Sequence, residues 1–416
     1  VSGSPLKALN GFRDFFPEDC QRRDLLFRQW RAVADRFGFS PYDGPPLESL
    51  ELFTRKSGEE IISQLYEFTD RGERQVALRP EMTPTLARMI GARHRDYKKP
   101  IKWYAVSQVF RFERPQKGRL REHYQWNADI IGEAGAGAEI ELIALAVEAL
   151  RTLGLGPGDV VIRISDRQFW HAFLEGRGVD SGRHESVLQA LDKMERVPEE
   201  ETRKKLGDLA GPVLEAVRGN EAALPEGRLT EVLSGLEAMG LGEWVRVDLS
   251  IVRGLAYYTG VVFEIHDRKG EFRAVAGGGR YDGLLKHLAG VDLPAVGFGM
   301  GDVVLSDLLV SRGLLAEPDR PDGYYVVIAD EVARVGALRE AVRLREAGYR
   351  VDYPLAPTKV GRQFQQAEEM GYGKALVFDG QWIAQGTCGL KDLLKREQED
   401  VKIQWVEGTL HCLPVE

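Results

Sequence analysis

Residues 110–125 read FRFERPQKGRLREHYQ. Strand-like sequence at both ends flanks a loop that holds Pro115, Gly118 and the cations Arg114, Lys117, Arg119 and Arg121, which predicts a charged hairpin. Charge alone leaves two readings open, a solvated loop tip or a basic surface for an anionic ligand. Outward from the loop, residues 101–110 and 126–131 have strand composition, as do 76–78. Earlier still, Leu26, Trp30, Val33 and Phe37 recur at three- and four-residue spacing ahead of Gly38, so an amphipathic helix is expected over 22–37. The Pro/Gly-rich PYDGPP at 41–46 breaks the chain after it. This front portion reads as α+β.

Downstream, residues 165–244 lose aromatic and β-branched character and carry charged runs at helical spacing, which predicts a helical insertion. Strand character returns at 245–252 and 258–266, before the glycine-rich AVAGGGRYDGLL. The polar, proline-containing EPDRPDG at 317–323 precedes a different pattern: strand 324–329, helix 332–347, strand 349–353, helix 359–370 and strand 375–378. That βαβαβ order predicts a small separate α/β unit. The expected organisation is therefore 1–164 as the first part of one domain, 165–244 as an insertion, 245–317 as the second part, and 322–416 as a C-terminal domain.

With 416 residues the chain exceeds what one core usually organises. Its 43% hydrophobic and 29% charged residues are ordinary for a globular protein, and no apolar run approaches the roughly 20 residues that span a bilayer. The first residues lack the apolar core of a secretory signal, so a cytoplasmic protein without a membrane partner is expected. Cys20, Cys388 and Cys412 stand far apart and form neither a CxxC pair nor a disulfide framework. A formal charge of −8 excludes a protein that holds nucleic acid by bulk positive charge; DNA is not expected as a partner, and any RNA contact must be local.

The hairpin carries more than charge. An arginine, an acidic residue two positions later and a PQKGR loop recur together in motif 2 of class II aminoacyl-tRNA synthetases, and FRFERPQKGRLREHYQ closely resembles the version in histidyl-tRNA synthetases. The resemblance implies that Arg111 holds the α-phosphate of ATP, that Glu113 accepts a hydrogen bond from the adenine amino group, that Arg119 belongs to the ATP site, and that the basic loop approaches the tRNA acceptor end. Chemistry agrees: adenylation drives a carboxylate onto a phosphorus atom, and a guanidinium gripping phosphate through two donors relieves that repulsion.

A second string, IVRGLAYYTGVVFE at 251–264, places Arg253 in strand-like apolar sequence, where a buried arginine needs an anionic partner, internal or bound. It resembles the histidine-specific RGLxYY signature, with Ala256 where aspartate is usual, and implies that Arg253 contacts both the α-phosphate and the substrate carboxylate. AGGGRYDGLL at 276–285 is similar to the companion signature, whose glycines let backbone approach the substrate and whose Tyr281 lines the histidine pocket. Residues matching the family's histidine site are Glu81 and Thr83 in LRPEMTPT for the α-amino group, Gln125 for the amino acid end, Tyr257 of the tyrosine pair, and Asp129 and Tyr258 for the imidazole. Asp129 stands where glutamate is usual. A pocket satisfying both ring nitrogens rejects isosteres by on the order of 10⁴, because unmatched analogues strand buried polar groups.

PAVGFGMGDVVLSDLL keeps the glycines of motif 3 at 297, 299 and 301 but has Val304 at the arginine position. A Rossmann reading of this GxGxG is discounted, because no βαβ unit with a distal acid surrounds it. FGFSPYDGPPLESLELF resembles motif 1 with Pro45 as its proline, implying a homodimer. The C-terminal unit resembles the anticodon-binding domain of histidyl and related synthetases, with Arg362, Gln363 and Gln366 on a candidate RNA-facing surface. Together these imply an α+β class II catalytic domain on a mixed, mainly antiparallel sheet, acting on histidine, ATP and tRNA(His), with Mg²⁺ neutralising the leaving pyrophosphate and no metal fixed by protein ligands alone. The alternative is a silent paralogue that keeps the pocket as a histidine sensor, like the regulatory subunit of ATP phosphoribosyltransferase; the missing motif 3 arginine favours it, the C-terminal domain and both arginines oppose it.

Overall fold

The computed structural model describes residues 6–55, 62–219, 224, 226–253, 257–315, 323–406 and 409–415. Two sequence features, Ala256 and most of the 317–323 linker, lie outside them. The chain divides into two compact units, residues 1–316 and 317–416.

The strands of the first unit are β1 (Ser40–Pro41), β2 (Leu47–Ser49), β3 (Tyr66–Thr69), β4 (Gln75–Leu78), β5 (Ile101–Phe110), β6 (Glu122–Ile131), β7 (Val160–Asp166), β8 (Val245–Val247), β9 (Val261–Asp267), β10 (Ala276–Arg280) and β11 (Ala295–Gly301). Among the described residues, eight of them form one sheet in the order β1-β5-β6-β11-β10-β9-β7-β8, and β2, β4 and β3 form a small second sheet. Only the outermost pairs of the large sheet, β1–β5 and β7–β8, are parallel. The interior is antiparallel, as a mixed, mainly antiparallel sheet requires.

The long hairpin organises this sheet. β5 and β6 pair over ten residues, from Ile101 opposite Ile131 to Phe110 opposite Glu122, and the Arg111 amide closes the loop on the Arg121 carbonyl at 2.9 Å. Side chains on β6 alternate between two faces. Trp126, Ala128 and Ile130 join the main core, whereas Gln125, Asn127 and Asp129 line a cavity on the opposite face. The core side is covered by helices Pro17–Arg36 and Gly137–Thr152. Trp30 of the first stacks on Trp126 with centroids 5.9 Å apart. That helix begins five residues before the start expected at residue 22, at Pro17, whose ring suits a first helical turn and is followed by Glu18 and Asp19 near the positive end of the helix dipole. Gly38, with φ +71°, follows it.

Between β7 and β8 the described chain is helical: Arg167–Glu175, His184–Lys193, Glu199–Leu206, Ala210–Gly219 and Arg228–Ala238, with short 3-10 turns between the first four. Arg163 of β7 ties this segment to the sheet, donating to Asp248 at 2.7 Å and pairing with Glu195.

Strand extents differ from expectation at one place that matters. β8 ends at Val247, and Arg253 has φ +55°, a left-handed conformation that no strand continues. Apolar neighbours made 245–252 look like a longer strand; a turn at Asp248 ends it instead, with Asp248 accepting from the Ser250 amide at 3.1 Å.

The second unit holds β12 (Gly323–Ile328), β13 (Arg350–Asp352), β14 (Lys374–Phe378), β15 (Thr387–Asp392), β16 (Glu397–Val406) and β17 (Thr409–Pro414) in the order β13-β12-β14-β15-β16-β17. β13-β12-β14 are parallel with helices Arg334–Glu346 and Val360–Glu369 between them, and the last three strands add antiparallel pairs. The expected exposed surface on helix Val360–Glu369 is corrected at Gln363. Its side chain is fully buried, accepting from the Ile328 amide at 2.8 Å and donating to the Ile328 and Thr358 carbonyls. It clamps the helix to β12, while Arg362 is exposed and Gln366 half-buried.

Candidate active site

Above the face of β6, β11, β10 and β9 that the core leaves open is a cavity of about 690 Å³. All the catalytic, ATP-binding and histidine-binding residues expected from sequence, Arg111, Glu113, Arg119, Glu81, Thr83, Gln125, Asp129, Arg253, Tyr257, Tyr258 and Tyr281, line it. Strand register explains how segments so distant in sequence meet. Asp129 lies opposite Gly297, Asn127 opposite Gly299 and Gln125 opposite Gly301, and Gly277 lies between Gly299 and Glu264. A period of two then points Gln125, Asn127, Asp129 and Glu264 into one space.

Two glycines are there because side chains need the room. A Cβ on Gly297 would lie 1.9 Å from Asp129 Oδ1, and one on Gly277 would lie 1.4 Å from Arg253 Nη1. Both are far inside contact distance, so the glycine spacing of AGGGRYDG and VGFGMG is a steric imprint of the polar groups opposite.

One end of the cavity is acidic and deeply buried. Asp129 Oδ1 accepts from the Tyr281 hydroxyl, while Asp129 Oδ2 has no protein partner. Burial pushes this carboxyl up to about 7, with the Tyr281 hydrogen bond pulling the other way and Glu81 adding to the rise. Glu81 Oε2 accepts from Tyr257 at 2.8 Å and Oε1 is unpartnered. Burial raises Glu81 as well, against the Tyr257 hydrogen bond and the charges of Arg111 and Arg253. Thr83 begins helix Thr83–Arg93 beside it. Orphaned, buried carboxylate oxygens are costly unless a ligand completes them. Here they describe a socket for a molecule that brings hydrogen-bond donors and positive charge.

The rest of the cavity is rich in arginine. Arg253 donates to Glu264 Oε1 at 3.0 Å and lies 5.8 Å from the Tyr258 ring centroid. Burial acts to raise Glu264, but Arg253 and the hydrogen bond from His266 outweigh it and hold the carboxyl at about 2. The internal partner expected of a strand-borne arginine is thus present, and the guanidinium still faces the cavity. Arg111 Nε donates to the Pro80 carbonyl at 3.0 Å, which orients its guanidinium. Arg119 forms an ion pair with Glu113. His123, pushed down to about 3 by burial and the charges of Arg111 and Arg13, presents a neutral imidazole.

In RYDGLL the two ends of one motif go opposite ways. Tyr281 enters the cavity, whereas Arg280 turns to the far side and makes a fully buried bidentate pair with Glu139, at 2.6 and 2.5 Å.

Asn127, Glu264 and Arg273 are among the cavity residues that were not singled out from sequence. Asn127 is 5% exposed with an unpartnered Oδ1; alternation with Gln125 and Asp129 was the available signal. Glu264 follows from the same alternation on β9. Arg273, in the β9–β10 connection, carries no local signal beyond its charge. Val304 is 8% exposed and also lines the cavity, so the motif 3 departure is an apolar side chain at the site itself.

Comparison with known proteins agrees along the whole chain. The family model described as histidyl-tRNA synthetase matches residues 11–302, and that described as anticodon binding domain matches 325–413. A histidine–tRNA ligase of Opitutus terrae is 45% identical over 425 residues, covering 97% of each chain. The chloroplastic/mitochondrial histidine–tRNA ligase of Arabidopsis thaliana is 39% identical, over 95% of this chain and 85% of its own. Among solved structures, histidyl-tRNA synthetase from a Nostoc species superposes with TM-score 0.79 at 24% identity, covering 96% of this chain and 97% of its own. An ATP phosphoribosyltransferase regulatory subunit/histidyl-tRNA synthetase from Bacillus halodurans gives 0.74, also at 24%, over 90% and 99%; at that identity both show a shared fold and no more. The glycine imprint, the paired carboxylates and the arginines therefore sit in a chain whose relatives match it end to end, and the chain belongs to the histidyl-tRNA synthetase family.

Proposed function

We propose that the chain is a histidine–tRNA ligase. Histidine and ATP react to histidyl adenylate and pyrophosphate, and the terminal hydroxyl of tRNA(His) then attacks the adenylate carbonyl. The observation that carries this reading is the polarity of the cavity: two buried carboxylates with orphaned oxygens, Glu81 and Asp129, share one space with Arg111 and Arg253. Glu81, with Thr83, takes the α-ammonium; Asp129, backed by Tyr281 and Tyr258, takes an imidazole N–H; Gln125 and Tyr257 line the amino acid between them. Arg253 and Arg111 draw the histidine carboxylate and the α-phosphate together and stabilise the charge of the pentavalent state. Glu113 and Arg119 hold the adenine side. No covalent enzyme intermediate is needed.

Mg²⁺ accompanies the nucleotide in this reading and supplies the remaining charge neutralisation on the pyrophosphate. Glu113 and Glu264 are each tied to a guanidinium, which fits a cation that arrives on the polyphosphate.

We assign residues 1–164 and 245–317 to the catalytic domain, 165–244 to an insertion within it, and 322–416 to binding the tRNA anticodon. A homodimer is supported by the exposed Pro45, Pro46 and Leu47, and the cytoplasm by three free cysteines.

Histidine-dependent exchange of pyrophosphate into ATP tests the proposal, with Arg111→Ala as control. Exchange that the variant loses is the expected result. Histidine binding without exchange would make the chain a sensor instead.

A further inference from the structure

Val304 leaves the nucleotide side of the cavity without the cation that the motif 3 position ordinarily brings, and the fold places another beside it. Gly118, in the basic hairpin loop, marks the spot. The point where its Cβ would stand lies 3.3 Å from Val304 Cγ2 and 3.9 Å from both Cγ and Cδ of Arg273. The Arg273 stem and the Val304 side chain therefore flank the same point, although one comes from the β9–β10 connection and the other from helix Asp302–Ser311.

Three contacts of its neighbours hold this segment in place. The Val275 amide donates to the Ile265 carbonyl at 2.8 Å, and the Gly301 amide donates to the Val275 carbonyl at 3.2 Å. This pins the chain just after Arg273 to the end of β11, where helix Asp302–Ser311 begins. On the other side, Lys117 of the hairpin loop lies over the Phe272 ring, 4.9 Å from its centroid. Phe272, Arg273, Gly118, Arg119 and Val304 all line the cavity. The Arg273 stem therefore stands on the cavity wall beside the hairpin loop that carries Arg119.

Resting on the ligase reading, we infer that Arg273 is a nucleotide-binding residue: from the β9–β10 connection it supplies the guanidinium for the ATP polyphosphate that position 304 does not. Arginine suits this place because its planar fork can grip phosphate through two parallel donors, which a lysine cannot imitate. The charge enters from a strand connection rather than from the first turn of a helix, so the nucleotide keeps its cation while the helix keeps an apolar contact with the hairpin loop.

The test is pyrophosphate exchange with the full-length protein, Arg273→Ala, Arg273→Lys and the relocated-charge variant Arg273→Ala/Val304→Arg, each checked for an unchanged thermal midpoint. Arg273→Ala is expected to raise the KM for ATP roughly 10- to 100-fold, the range for losing a hydrogen bond to a charged group, with the KM for histidine unchanged. Arg273→Lys recovers it only in part, and Val304→Arg in the alanine background recovers it substantially. An ATP KM that Arg273→Ala leaves unmoved, or histidine and ATP KM values that rise together, overturns the inference. Absence of exchange in the parent protein would instead refute the ligase reading.

Discussion

The Tyr281 hydroxyl donates to Asp129 Oδ1 across 152 residues of sequence, and it is the only protein hydrogen bond recorded for that carboxylate among the described residues. Removing it in Tyr281→Phe leaves a second orphaned oxygen and pushes the Asp129 carboxyl still higher. The KM for histidine is expected to rise roughly 10-fold, with the pH at which histidine binds best moving upward. Steady-state exchange across pH 6 to 9 (from about one unit below the Asp129 value to about two above it) measures both; an unshifted profile counts against Asp129 as the imidazole acceptor.

Asp129 also marks the pH dependence of folding. Its folded pKa of about 7 lies above the usual carboxylate value near 4, so the folded chain binds a proton that the unfolded chain has released between those two pH values. The stability from this group is full below about pH 4 and is lost as pH rises through about 7. Asp129→Asn cannot ionise. Thermal melts of ligand-free protein are expected to show the variant gaining on its parent between about pH 5 and pH 8, whereas a constant difference would contradict the raised value.

Arg253 acts on the reacting atoms, so Arg253→Ala is expected to lower kcat on the order of 10²- to 10³-fold while changing the KM for histidine little. Equal losses in turnover and affinity would reduce it to a ground-state contact.

The two steric glycines separate these roles without touching the polar residues. Gly277→Ala drives a methyl into Arg253 Nη1 and is expected to depress kcat by about 10². Gly297→Ala collides with Asp129 Oδ1 and raises the KM for histidine instead. If both variants fail in the same parameter, the cavity is not divided as described.

Glu139 and Arg280 are each 0% exposed in their side chains. Glu139→Ala strands a buried guanidinium and is expected to cost about 3–5 kcal/mol in urea unfolding. Replacing both residues by methionine should cost much less, since the pair is desolvated together.

Motif-bearing residues were legible because their chemistry is local: a basic hairpin, a tyrosine pair, a glycine run. All of those named from sequence face one cavity. What escaped was relational. Arg253 reads as a strand residue by its neighbours and is set by a turn; Gln363 reads as a surface residue by its polarity and is consumed by the Ile328 backbone. β16 and β17 went unread, although Val401, Ile403 and Trp405 of β16 alternate with Lys402 and Gln404 and carry a two-residue apolar rhythm against the core of the second unit. Arg273 becomes meaningful only once the β9–β10 connection is seen beside Gly118.

The pairing of β6 with β11 has a consequence during synthesis. Gln125 and Asp129 leave the ribosome some 170 residues before Gly301 and Gly297, the partners that lie opposite them. Until β11 arrives, the inner edge of the nascent hairpin is an open row of amides and carbonyls with Trp126 on one face, a template for wrong pairing. The helices that follow β7 emerge in this interval, so the growing chain fills the wait with segments that can fold from local contacts while the half-built sheet stays exposed to chaperones.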